Sequence, residues 1–163
     1  MWRELSSILR GHGPAGRISH RARPMFGPFE TNGRTAALMI VLDTDILIDH
    51  LRARKKAVEY LLDLAARGQT LMCSVISHAE ILSGMRSAEE PATRAFLGTF
   101  HIVPIDTAVS EEAARYRRTY GPSHGVLLPD ALIAATALVR KASLVTLNVT
   151  HYPMSDIAVV KPY

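Results

Sequence analysis

The stretch MIVLDTDILIDHLR, residues 39–52, decides how this chain is read. Four apolar residues, Met39 to Leu42, stop at the carboxylate of Asp43, and two further acids follow at Asp45 and Asp49. An unbroken apolar run of this length suits a strand covered on both faces, as in parallel sheets. The residues after it, TDILIDHLR, read as a helix. An acid at such a junction has two explanations. It can favour the helix N-terminus through the macrodipole, worth about 0.3–1 kcal/mol, or it can form one wall of a site. If it forms a site, two chemistries compete: an aspartyl nucleophile for phosphoryl transfer, and a carboxylate cage for a divalent metal.

Outward from this segment the alternation repeats. KKAVEYLLDLAARG is predicted to be a helix stopped by Gly68. TLMCSV is a second strand, and SHAEILSGMR a helix with Ser77 as its N-cap and Glu80 at the capping-box spacing. EEPATRAFLGTF is helical, HIVPID a short strand, and TAVSEEAARYRRTYG a helix ended by Gly121. GPSHGVLL reads as a loop; PDALIAATALVRKA is a helix with Pro129 suited to its first turn. SLVTLN and DIAVVKPY complete the strands. Strands separated by helices argue an α/β fold with a central, mainly parallel sheet. Ligands of such sheets sit beyond the carboxyl ends of the strands, near the switch point in strand order. Asp43 and Asn148 both fall at such ends.

The 163 residues suit one domain, and 48% apolar with 21% charged residues is ordinary globular composition. No apolar run approaches the roughly 18–20 residues that cross a bilayer, so no membrane association is expected. The single Cys73 cannot form an internal disulfide, which fits a reducing, cytoplasmic setting. The formal charge of +4 is unevenly placed. Residues 1–38 hold six arginines against Glu4 and Glu30, while the 13 bases and 13 acids of residues 39–163 cancel. The basic balance therefore says nothing about nucleic-acid binding by the body. Residues 1–38, rich in Gly and Pro, are expected to be a poorly ordered basic leader or an upstream extension before a natural start at Met39. Arg-rich and acid-poor, they also resemble an organellar transit peptide. Gly11, Gly13 and Gly16 fit a dinucleotide-binding spacing, but no strand precedes them and Pro14 interrupts, so that site is rejected.

Four polar positions share one context, the start of a helix or the end of a strand embedded in apolar sequence: Asp43, Glu80, Asp130 and Asn148. Each alone is explicable as a cap or a turn residue. Jointly they are harder to dismiss. Asp130 precedes Ala131, Ala134, Ala135 and Ala137, the mark of a closely packed helix, and no Lys or Arg lies in the apolar segments around these acids. Buried carboxylates require a neutralising partner. Hard oxygen ligands suit Mg²⁺ or Mn²⁺.

Taken in order, LDTDILID, SHAEIL, LPDALIAATAL and VTLN resemble the PIN-domain nucleases, and most closely the small VapC-type toxins of type II toxin–antitoxin systems. The resemblance spans residues 39–163. It implies a PIN-like α/β/α sandwich whose acids gather at one end of the sheet and bind Mg²⁺, with Mn²⁺ as a substitute. It assigns Asp43, Glu80 and Asp130 as the three acids and places Asn148 at the fourth position. The metal is expected on Asp43 and Asp130, with Glu80 acting through a water. Asn148 adds no negative charge, which puts a second metal in doubt; Asp45 and Asp156 are the candidates to compensate. The implied activity is endoribonucleolytic, a metal-activated water attacking the phosphodiester to leave a 5′-phosphate and a 3′-hydroxyl. The implied partners are an RNA substrate, a small cognate antitoxin and a second copy of the chain.

Two alternatives are open at this level. One is a catalytically weak PIN module that binds RNA or protein without cutting, favoured by Asn148. The other is a haloacid-dehalogenase-like phosphatase built on Asp43 and Asp45, which lacks a later acidic pair. Around the acids, His124 and His151 are loop candidates for RNA contact, and Asp49 is either an outer partner or solvated. Arg115, Arg117 and Arg118, interleaved with Tyr116 and Tyr120, could form a phosphate-contacting face.

Overall fold

Strand β1 (Met39–Leu42) is the middle strand of a five-stranded sheet, because its alternate side chains enter two separate cores. Ile40 and Leu42 join Leu71 and Cys73 on one face; Val41 joins Met72 and Leu144 on the other. The unbroken apolar run thus meets the need of a strand covered on both sides. The structure is a computed structural model in which residues 38–163 are described, so nearly all of the basic leader lies outside the described residues.

The remaining strands are β2 (Thr70–Ser74), β3 (His101–Val103), β4 (Ser143–Val145) and β5 (Val159–Val160). Their spatial order is β3-β2-β1-β4-β5 and every pairing is parallel. Parallel neighbours need crossovers, which helices supply. Helices α1 (Thr44–Leu51) and α2 (Lys55–Ala66) link β1 to β2. Helices α3 (Val75–Gly84) and α4 (Glu90–Leu97) link β2 to β3. Helices α5 (Thr107–His124) and α6 (Leu128–Val139) carry the chain across to β4. Ile46, Leu47, Leu61, Ile81 and Phe96 from α1 to α4 fill the core on one face. Val109, Ala113, Tyr116 and the alanines of α6 fill the other. The result is the expected α/β/α sandwich. Its strand order reverses between β1 and β4, the kind of switch point at which open parallel sheets take their ligands.

Three local expectations need correction. Helix α3 starts at Val75 and is capped by Ser74, whose Oγ accepts from the Ile76 amide at 3.3 Å. Ser77 is therefore no cap; it is buried inside the helix, and Glu80 lies too far along to close a capping box. Helix α5 does not end at Gly121. It runs through Gly121 and Pro122 to His124, and Gly125, at φ 69°, terminates it. A residue before proline is normally pushed out of the helical region by its own Cβ; Gly121 has none. The expected loop shrinks to residues 125–127. The last strand is also shorter than expected, two residues.

Candidate active site

Asp43 follows the last residue of β1, and its backbone amide donates to the Val145 carbonyl of β4 at 2.9 Å. Its carboxylate is therefore set at the switch point by sheet pairing before any side chain acts. The residue is 7% exposed and yet has no cationic partner among the described residues. It is held by neutral donors instead. Oδ1 accepts from the Thr44 amide at 2.7 Å, while Oδ2 accepts from the hydroxyls of Thr146 at 2.7 Å and Tyr152 at 2.9 Å. Asp43 is also the N-cap of α1, so the capping and site explanations both hold. Burial, then the Asp43 charge, drive the Tyr152 phenol far upward, which keeps it protonated and donating.

The other acids adjoin Asp43. Asp45, in the first turn of α1, accepts the Leu147 amide at 2.9 Å through Oδ2, which also lies 3.2 Å from the Thr146 hydroxyl, whose one proton goes to Asp43 by the shorter contact. Its Oδ1 is buried with no hydrogen-bond partner. Burial, reinforced by the Asp43 charge, pushes the Asp45 carboxyl up to about 6. Glu80 is exposed on α3 and accepts the Thr44 hydroxyl at 2.5 Å, so it reaches the same junction from the neighbouring strand's helix. Asp130 sits in the first turn of α6, below a face of fully buried alanines. Burial raises its carboxyl, the nearby His151 opposes that, and Asp43 adds to it. The His151 ring lies 3.8 Å from Asp130 Oδ2.

Asn148 is exposed in the turn after β4, ahead of the short helical turn Val149–His151. Its backbone amide donates to Thr146 Oγ1 at 3.0 Å, which ties the turn to the hydroxyl that serves Asp43. The other nominated residues divide. His151 stands at the site, whereas His124 closes α5, with its ring 2.8 Å from Ser123 Oγ and edge-on to Tyr120. Asp49 pairs with Arg54 at 2.8 Å. Asp156 is engaged by Arg115 and the Tyr116 hydroxyl, both at 2.7 Å, so it does not compensate for Asn148. That pairing, and the full burial of Tyr116, dismantle the expected basic and aromatic face: of its arginines only Arg117 and Arg118 are exposed. Thr44, Thr146 and Tyr152 were missed by sequence reasoning. Hydroxyls carry no charge signal; only the placement of Thr146 between β4 and Asn148 hinted at its role.

Among the described residues, no Lys or Arg pairs with Asp43, Asp45, Glu80 or Asp130. No three His, Cys, Asp or Glu side chains are drawn together as a ready metal cage there. The donor set suits Mg²⁺ all the same, because that ion keeps several waters and needs only one or two carboxylates. A buried, unpartnered carboxylate oxygen beside a second buried acid is a pair that a divalent cation would relieve. Beside the acids, Ile48, Leu51, Ile81, Met85 and Ala92 wall a cleft of about 580 Å³ that reaches Glu80.

Comparison with known proteins agrees with the geometry. The family pattern described as PIN domain matches residues 40–152. Ribonuclease VapC10 of Mycobacterium tuberculosis (strain CDC 1551 / Oshkosh) is 41% identical over 119 residues, 72% of this chain and 89% of the relative. Ribonuclease VapC19 of the same strain is 37% identical over 117 residues, 71% and 94%. A solved structure titled as a toxin-antitoxin complex from Klebsiella pneumoniae superposes with a TM-score of 0.62 at 29% identity, covering 76% of this chain and 98% of that one. The chain belongs to the PIN-domain family. Within that family it is of the VapC type. The phosphatase alternative ends with that membership.

Proposed function

We propose that this protein is a Mg²⁺-dependent endoribonuclease and the toxin of a toxin–antitoxin pair. The observation that carries the reading is the set of acids at the β1/β4 switch point, Asp43, Asp45 and Glu80 held by hydroxyl and amide donors, with no Lys or Arg paired to any of them among the described residues. Asp43 and Asp130 would hold the metal, with Glu80 acting through a bound water. When bound, the cation lowers the pKa of a water and stabilises the anionic transition state of phosphodiester hydrolysis. The chain's own part is to fix the acids. Thr44 orients Glu80, Thr146 and Tyr152 orient Asp43, and the sheet sets the spacing. Asn148 offers an amide oxygen and no charge, which favours one tightly held ion. His151, exposed and 3.8 Å from Asp130, would meet a phosphate of the substrate.

The reading includes a cognate antitoxin, a homodimer and a cytoplasmic setting. The cleft beside Glu80 suits a short apolar segment of such a partner ending in a basic side chain that enters the acidic site. No helix of the described residues is long and apolar enough to cross a membrane. Cleavage of an RNA pool with Mg²⁺ tests the proposal. Asp43→Asn and Asp130→Asn should each lose at least about a hundredfold in rate, the scale of a transition-state interaction of some 2.7 kcal/mol. Circular dichroism should stay unchanged. Cleavage retained in either folded variant refutes the assignment. Metal-independent RNA binding without cleavage would instead support the module that binds and does not cut.

A further inference from the structure

Asp43 Oδ2 carries two hydroxyl donors, and they come from either side of the turn that holds Asn148. Thr146 precedes the turn and Tyr152 follows it. A carboxylate oxygen offers about two lone-pair sites, so Thr146 and Tyr152 occupy Oδ2 fully. Oδ1 has one site taken by the Thr44 amide, which leaves one site open. Tyr152 itself is only 4% exposed, in the core beneath α6, and its hydroxyl has Asp43 as its acceptor. The bond spans 109 residues of sequence, so it is a tertiary device and not a local turn contact.

We propose that Tyr152 is a positioning residue for cation binding. With Thr146, its hydroxyl occupies Oδ2, so the lone pair of Asp43 left open to a cation would be the one on Oδ1. The same bond ties the 148–152 turn, with Asn148 and His151 on it, to the acid they work beside. This rests on the proposed metal-dependent activity and adds to it the group that sets how the first acid is offered. Outer donors to a ligating carboxylate of this kind support metal affinity by about 10–100-fold.

Calorimetric titration of the full chain with Mn²⁺ tests it, using wild type, Tyr152→Phe and Tyr116→Phe. Tyr116 is the control: it too is buried and donates to an aspartate, Asp156, away from Asp43. Loss of a buried tyrosine's hydrogen bond to aspartate should lower the melting temperature of both variants, and more in Tyr152→Phe, whose Asp43 is itself buried. Only Tyr152→Phe should weaken Mn²⁺ binding, by about tenfold or more, and lower kcat for RNA with KM little changed. Equal Mn²⁺ affinity in Tyr152→Phe and wild type overturns this inference and leaves the nuclease reading intact. A wild type that binds no Mn²⁺ overturns both. Should Tyr152→Phe not fold, 3-fluorotyrosine at position 152 keeps the ring and the hydroxyl. Its ¹⁹F resonance must move on titration with Mg²⁺; a resonance unmoved at saturation overturns the proposal.

Discussion

Asp43 shows how one side chain is made functional by neutral neighbours. Three donors satisfy its charge without cancelling it, so the acid stays available to a cation. Asp45 next to it is less well served, and this has a consequence for pH. Its folded value of about 6 against an ordinary 3.8 means that the folded protein binds a proton the unfolded chain has released. That contribution to stability grows as pH falls from about 6 and is absent well above it. Asp130, also raised, acts in the same direction. His50, stacked on Phe96, does the opposite. Burial pushes it down from 6.5 to about 4, so the unfolded chain gains the proton and stability is lost as pH falls through that window. In wild type the two effects oppose each other. Asp45→Asn removes one of them, so in chelator its melting temperature should fall further between pH 7 and pH 5 than that of wild type. Equal falls in the two proteins would mean that Asp45 titrates at its ordinary value.

At the scale of elements, α6 is the most constrained. Ala131, Ala134, Ala135 and Ala137 are wholly buried, and small side chains there bring the helix close to the sheet and to α5, its largest contact. That close approach is what lowers Asp130 into the site from the first turn. Ala134→Leu should overfill the gap and cost about 1–3 kcal/mol, read as a lower urea midpoint with an unchanged slope. A midpoint equal to that of wild type would show slack in this layer. Helix α5 makes a different point. The pair Gly121–Pro122 reads as a stop, but a helix of this length packed against α6 carries through it, and only the left-handed Gly125 ends it. Tertiary packing outweighed the local signal.

At the scale of the fold, the decisive fact is that the acid after β1 and those of α3 and α6 share one end of a parallel sheet, with no compensating base among the described residues. Such an arrangement costs stability in the metal-free state through like-charge repulsion and desolvation. Divalent cation should therefore stabilise the protein, by about 2.7 kcal/mol at a hundredfold excess over its dissociation constant. Differential scanning calorimetry with Mn²⁺ and with chelator measures it. Asp130→Asn should lose that gain while melting no lower than wild type in chelator, since one repelling charge is gone. A full Mn²⁺ shift in Asp130→Asn would remove Asp130 from the proposed metal site.

Much of this was legible in the residues themselves. The run Met39–Leu42, the alanine face after Asp130 and the strand–helix alternation determine the α/β class, because burial on one or two faces imposes its period on the chain locally. The acids were visible for a related reason: carboxylates embedded in apolar segments need a partner, and no base was near. Only the tertiary structure decided how those acids are held. Ser77 or Ser74 as the cap, Asp156 in the site or bound to Arg115, and the hydroxyls of Thr44, Thr146 and Tyr152 are settled by contacts between distant segments. Asp43 meets Thr146 and Tyr152 across 103 and 109 residues. Such pairs depend on which strands lie side by side and in what register. The order β3-β2-β1-β4-β5 sets both, through the summed packing of two cores that no single segment contains.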